Sequence, residues 1–378
     1  MPRGIKPAAL VIVLLLAAAP AAAQIDPEPR LNLELGVEGP LKGDGPLSGY
    51  AFLLWNRPHF LDEDLYLRVL LAPTFLMSEL VLDRWPTEGH AVGVGVAGGF
   101  FPYNFEEFRD GRHVEDESFW GHGGEATLSY YRRVLLGGLL PLEGQVRLRP
   151  QYVVYARNDT DARFRLPPDT AILSGRVGLR LGGVPPELHP DLALEVSVWY
   201  EPGYRVEAGS YGFPERPEEL EHFTQKAWAR TGGIFTFFQR HAVQGFFTVG
   251  TAENADALTS FRLGSALPFR SEFPLILHGY YVEEVFARRF WLFNFAYRFP
   301  IVPDSDRVKL QLSFDYARVD YASGHELPRH GLRGVGIDLS LAMTKQIRLM
   351  LGWGYGFDAP RNGDFGGQEA HALMEIKF

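Results

Sequence analysis

The feature that most constrains this chain is an alternation of period two running along almost its whole length. Trp291, Phe293, Phe295, Tyr297 and Phe299 alternate with Leu292, Asn294, Ala296 and Arg298. Val308, Leu310, Leu312, Phe314 and Tyr316 interleave with Lys309, Gln311, Ser313, Asp315 and Ala317. Val335, Ile337, Leu339 and Leu341 oppose Gly334, Gly336, Asp338 and Ser340, and the run from Ile347 to Phe357 repeats the pattern. Successive side chains point to opposite sides only in a β-strand, so the chain reads as all-β. A soluble sandwich alternates too. Here, however, the second face mixes Gly with charges of both signs, and aromatics gather at segment ends, as in the girdles of a membrane barrel. The segments run about 9 to 16 residues, which suits a tilted crossing of the bilayer better than the usual soluble strand.

Sixteen such segments are predicted, with a range of 14 to 18: near 30–38, 47–55, 64–74, 91–101, 123–136, 143–157, 171–182, 192–203, 223–237, 241–253, 257–265, 288–299, 306–321, 332–342, 345–357 and 368–378. The expected fold is a transmembrane antiparallel β-barrel with short turns at one end and longer loops at the other. The C-terminal half fits, with tight turns at Pro300–Asp306 and Thr344 and long loops at 266–287, 322–331 and 358–367. In the N-terminal half, 102–122 and 204–222 are long where this parity wants short turns.

Composition narrows the class. With 46% hydrophobic and 13% aromatic residues the chain is too apolar for disorder. The absence of Cys excludes a disulfide scaffold, a thiolate metal site and a thiol nucleophile. One long apolar stretch, at the N-terminus, excludes a bundle of membrane helices. There, Arg3 and Lys6 precede an apolar run from Ala8 to Ala19, then Ala21, Ala22 and Ala23. That is the pattern of a secretory signal peptide over 1–23, leaving 24–378 as a single barrel domain without a further module. Losing its two cations takes the net charge from −9 to −11, which argues against nucleic-acid binding. The predicted location is the bacterial outer membrane, reached through the Sec pathway, as a monomer surrounded by lipid.

Leu277-His278-Gly279-Tyr280, in the long segment before the Trp291–Phe299 strand, resembles the Val-Arg-Gly-Phe/Tyr tip of BamA-type assembly and translocation barrels, the bacterial surface-antigen superfamily. The following Phe295-Ala296-Tyr297-Arg298-Phe299-Pro300 and Phe314-Asp315-Tyr316-Ala317 are similar to that family's next two strands, and the glycines at 334, 336, 352, 354 and 356 to its closing strands. The resemblance covers roughly a third of the chain. It implies a sixteen-stranded barrel whose loop 266–287 folds inward as a gate or strut, with His278, Gly279 and Tyr280 docked near Asp315. It also implies unfolded outer-membrane or exported protein clients. His278 stands where the family has Arg, so the contact would be weaker and pH-sensitive, and the family's periplasmic repeat modules are absent.

Other patterns give alternatives. Arg68, Arg147, Arg149, Arg176, Arg180 and Arg348 fall on the non-lipid faces of their strands, against Glu34, Glu38, Glu195, Asp315, Asp338 and Glu375. Such charges either brace the interior or polarise an open, porin-like channel. Ser323 and His325, with Asp320 and His330, offer a lipid-hydrolase reading, but neighbours in a polar loop rarely form a nucleophile–base pair. The histidines lack metal-binding spacing. No enzyme activity, metal or cofactor is therefore expected.

Overall fold

The computed structural model describes residues 25–136, 140–268, 271–303 and 305–378; the predicted signal peptide lies outside them. Sixteen antiparallel strands close into a barrel. They are β1 (Arg30–Lys42), β2 (Ser48–Arg57), β3 (Leu65–Ala72), β4 (Phe75–Asp83), β5 (His90–Gly99), β6 (Phe119–Leu136), β7 (Leu140–Arg157) and β8 (Thr170–Gly183). Then come β9 (Leu192–Arg205), β10 (Phe223–Phe237), β11 (His241–Glu253), β12 (Val285–Pro300), β13 (Val308–Tyr321), β14 (Gly331–Ala342), β15 (Ile347–Arg361) and β16 (Asp364–Lys377). Each pairs with its chain neighbours, and β1 closes the cylinder on β16 through pairs from Asn32↔Lys377 to Lys42↔Gln368. Closure removes the free edges that an open sheet would leave in lipid. Among the described residues no helix is long and apolar enough to cross a membrane.

The faces are inverted relative to a soluble protein. Leu135 is 64% exposed, Val146 54% and Val198 52%, whereas Glu195 is fully buried and Asp315 and Glu375 are 1% exposed. Burying carboxylates while exposing aliphatics is sustainable only if the outside solvent is lipid and the inside supplies ionic partners.

The count of sixteen is right, yet two assignments are not. The segment predicted at 64–74 is β3, but no strand is predicted at 75–83, where the chain, after turning at Pro73 and Thr74, returns as β4. Residues 257–265 are not a barrel strand, since only Phe261–Leu263 pairs, with the start of β12. The extra strand and the lost one cancel in the count but restore the parity. All the long connections (100–118, 158–169, 206–222, 254–284 and 322–330) now leave the end opposite the termini. The expected long loop 358–367 is instead a two-residue turn at 362–363 between β15 and β16.

Both ends of the bore are filled. At the far end the long connections bury Phe105, Phe108, Phe119, Phe164, Tyr211, Tyr281 and Phe286 against one another. At the end carrying the termini, the turn 184–191 folds inward. Leu188 N donates to Glu375 at 3.1 Å, His189 Nε2 meets Ser340 Oγ at 2.8 Å and Arg298 donates to His189 Nδ1 at 2.6 Å. Leu188 then packs with Leu267, Met350 and Leu373.

Candidate functional site

The site is built where loop 254–284 returns into the lumen. Period-two pleating points Asp315 of β13 inward. There its Oδ2 accepts the backbone N–H of His278 at 2.9 Å and lies 2.6 Å from His278 Nδ1. Its other oxygen takes Asn294 Nδ2 at 2.6 Å, and that amide also donates to the Ile276 carbonyl at 2.9 Å. One residue on, Gly279 N donates to Glu369 of β16 at 2.9 Å. The tip is thus fixed by two carboxyl groups on different strands, each accepting a backbone N–H.

The glycines of β14 and β15 give this tip its floor. A Cβ at Gly334 would lie 2.6 Å from the His278 carbonyl oxygen, and at Gly336 2.5 Å from the imidazole. At Gly354 it would lie 2.9 Å from Gly279 N, and at Gly356 2.8 Å from the Tyr280 ring. Side chains there would lift the loop off the wall. Gly279 meets the same constraint from the other side: its φ is +80°, and a Cβ on it would overlap the Gly356 backbone. Tyr280 is fully buried beside Leu277, Val285, Leu292 and Leu332. His278, Gly279, Tyr280 and Asp315 therefore meet in one place.

Three further anchors hold the loop, and of them the sequence singles out Glu38 alone, as an inward-facing acid. Arg361 is fully buried, forms a bidentate pair with Glu284 at 2.7 Å through both nitrogens, and stacks over Tyr281 at 3.6 Å. By simple alternation it belongs on the lipid face with Trp353, Tyr355 and Phe357. Between Gly356 and Pro360 three residues of β15 stand opposite one of β16, the alternation stops, and Asp358, Ala359 and Arg361 are all buried; no local pattern announces that irregularity. Glu38 of β1 accepts Ser265 Oγ at 2.7 Å and Ala266 N at 2.9 Å. Glu272 reaches Arg176 at 3.0 Å and Arg180 at 3.6 Å.

The lumen arginines divide unevenly. Arg147 pairs with Glu79 at 2.9 Å; Arg149 and Arg176 share Glu201 at 3.0 and 2.7 Å; Arg180 pairs with Glu195 at 3.2 Å. With Arg68 they occupy β3, β7 and β8. Arg348 is the exception, standing in register with Glu375 on β15 and β16. Most of the predicted acids, Glu34, Glu38, Asp315, Asp338 and Glu375, sit on β1, β13, β14 and β16, while Glu195 joins the arginines. One wall is rich in guanidinium groups and the opposite one in carboxylates. The loop runs between them, placing Glu272 on the first and His278 on the second.

The hydrolase constellation does not assemble. His325 meets the Ser323 carbonyl, not its hydroxyl, at 3.1 Å, and its Nε2 faces Glu107 at 3.0 Å, while His330 Nδ1 lies 2.8 Å from the Val319 carbonyl oxygen. Burial opposes protonation of His325, but the Glu107 carboxylate outweighs it and raises its pKa. Among the described residues, Glu107, Glu218 and His325 place ligand-type atoms within 4.8 Å of one another. Arg109 already joins Glu107 and Glu218, at 3.2 Å each, and Glu117 at 2.8 Å. The group is therefore an ion-pair network that ties the far-end loops together.

No family model matches the chain, and no curated protein matches its sequence. Solved structures do. CdiB from Acinetobacter baumannii superposes with a TM-score of 0.60 at 11% identity, over 92% of this chain and 60% of that one. CdiB from Escherichia coli gives 0.59 at 11%, over 93% and 63%. BamA from Haemophilus ducreyi lacking POTRA domains 1–3 gives 0.57 at 9%, over 93% and 71%. This chain thus spans less than two thirds of either CdiB chain. At such identities the likeness is one of fold: an outer-membrane barrel of the BamA and CdiB kind.

Proposed function

We propose that this protein is a gated outer-membrane barrel serving translocation or assembly of exported or outer-membrane proteins, with the inward loop as its bolt. The observation that supports this most directly is the two-ended attachment of the loop. Only six steps along the chain separate Glu272, on the arginine wall, from His278, on the carboxylate wall. At about 3.3 Å per residue such a segment reaches roughly 20 Å, so it acts as a strut across the bore. Opening the lumen requires releasing an end of that strut, and no catalytic step is assigned to it.

Planar-bilayer recordings of the refolded mature chain, beside a variant lacking residues 268–286, test this reading. Small, flickering currents that become large and steady on deletion are the expected result. Large, steady currents from the intact chain would overturn the gate and make the protein a passive, porin-like channel. Client capture would be tested by crosslinking an unfolded outer-membrane protein to the lumen.

A further inference from the structure

The wall formed by β2, β3 and β4 departs from the pattern of the rest of the barrel. Its outer face is apolar, with Leu71, Leu76, Leu80 and Leu82 exposed to lipid. Much of its inner face is apolar as well. Register places Leu54, Leu70 and Met77 side by side across the three strands, and Phe52, Ala72 and Phe75 in the row above. The row below is polar: Asn56, Arg68 and Glu79. All but Ala72 line an internal cavity of about 540 Å³, bounded elsewhere by the 184–191 turn and the underside of loop 254–284.

This panel is also the lowest part of the wall. β3 and β4 have 8 and 9 residues, against 18 for β6 and β7. β2 meets β3 through only five residue pairs, leaving Ser48–Phe52 without a paired residue on the β3 side. Apolar side chains facing a charged, hydrated lumen are unfavourable unless something apolar covers them, at roughly 25 cal/mol per Å². Here the nearest apolar material is the bilayer, on the far side of a short hairpin.

Charge selects the head group. Glu79 is already taken by Arg147 and by the Tyr131 hydroxyl, at 2.9 and 2.6 Å. Among the described residues Arg68 forms no ion pair, although it faces the cavity. A guanidinium beneath two apolar rows matches an amphiphile with an anionic head and one acyl chain. We propose that the cavity binds such a lipid, its carboxylate or phosphate on Arg68 and its chain along Leu54, Leu70, Met77, Phe52 and Phe75, entering over the β3–β4 hairpin. This site does not depend on the gate reading.

Native mass spectrometry of the refolded mature chain, incubated with oleate, lysophosphatidylglycerol or lysophosphatidylcholine, tests it. One retained equivalent of an anionic amphiphile is expected, at least ten-fold favoured over the neutral lysophosphatidylcholine. Oleate alone would identify a carboxylate ligand, and lysophosphatidylglycerol alone a phosphate; either supports the site. Arg68→Gln is expected to abolish the charge preference, and Leu70→Gln with Met77→Gln to abolish retention. Heat-modifiable gel migration would show that both variants remain folded barrels. No stoichiometric binding, equal retention of the neutral lipid, or retention that is indifferent to these substitutions would overturn the proposal.

Discussion

Gly279→Ala isolates the docking of the loop tip from the stability of the barrel. At φ +80° an alanine is strained by about 1–2 kcal/mol. Its Cβ would also overlap Gly356 N, a backbone atom of β15 whose residue is paired with both β14 and β16. The tip must therefore lift, losing first the Gly279 N–H bond to Glu369. A hydrogen bond of this kind contributes about 0.5–1.5 kcal/mol, so docking is weakened by about 1.5–3.5 kcal/mol in all. At tenfold per 1.4 kcal/mol, the undocked population should rise by roughly one to two and a half orders of magnitude. Planar-bilayer recording reads this as the fraction of time spent in the open state. Gly363→Ala is the matched control: its φ is +83°, and an added Cβ there meets nothing within 4 Å. It carries the same strain at the β15–β16 turn without touching the loop. If Gly279→Ala recorded like the unmodified chain, or Gly363→Ala opened equally, wall contact would not be what holds the loop.

Glu272→Gln should free the other end of the strut and leave Arg176 and Arg180 facing the bore, so reversal potentials in a salt gradient should shift toward anion selectivity. Arg361→Leu leaves Glu284 buried without its partner and should cost about 3–5 kcal/mol, whereas adding Glu284→Met should recover much of it, as read by urea unfolding of the folded barrel. His325 has its pKa raised in the fold, so its contribution is complete below its unfolded value near 6.5 and is lost as pH rises through the folded one. Protease resistance of the far-end loops should accordingly fall on the alkaline side, and His325→Gln should flatten that dependence.

How much of this was legible in the chain varies with the range of the interaction. The alternation at 291–299 and 308–317 specified strands, and specified that Asp315 faces inward, because pleating is a property of neighbouring residues. It failed at 75–83. There Phe75, Met77 and Val81 on one face and Leu76, Leu80 and Leu82 on the other are all apolar, so the alternation vanishes and the strand reads as a connection. It failed again at 257–265, whose apolar residues pack on the loop side of β12 instead of extending the wall. Arg361 lies in what reads as the loop 358–367, and nothing local marks it as a lumen residue, because the pairing is irregular between Gly356 and Pro360.

Fold class, the inward face of the charged residues and the inward-folding character of the loop came from sequence alone, since each is carried by local periodicity or a short motif. Tertiary structure decided that Glu369 joins Asp315 in holding the tip, that Glu272 and His278 brace opposite walls, and that the 184–191 turn fills the other end. Those contacts join residues 37 to 187 positions apart. Only ring closure and strand register bring such positions within a hydrogen bond, and no local pattern in the chain encodes that distance.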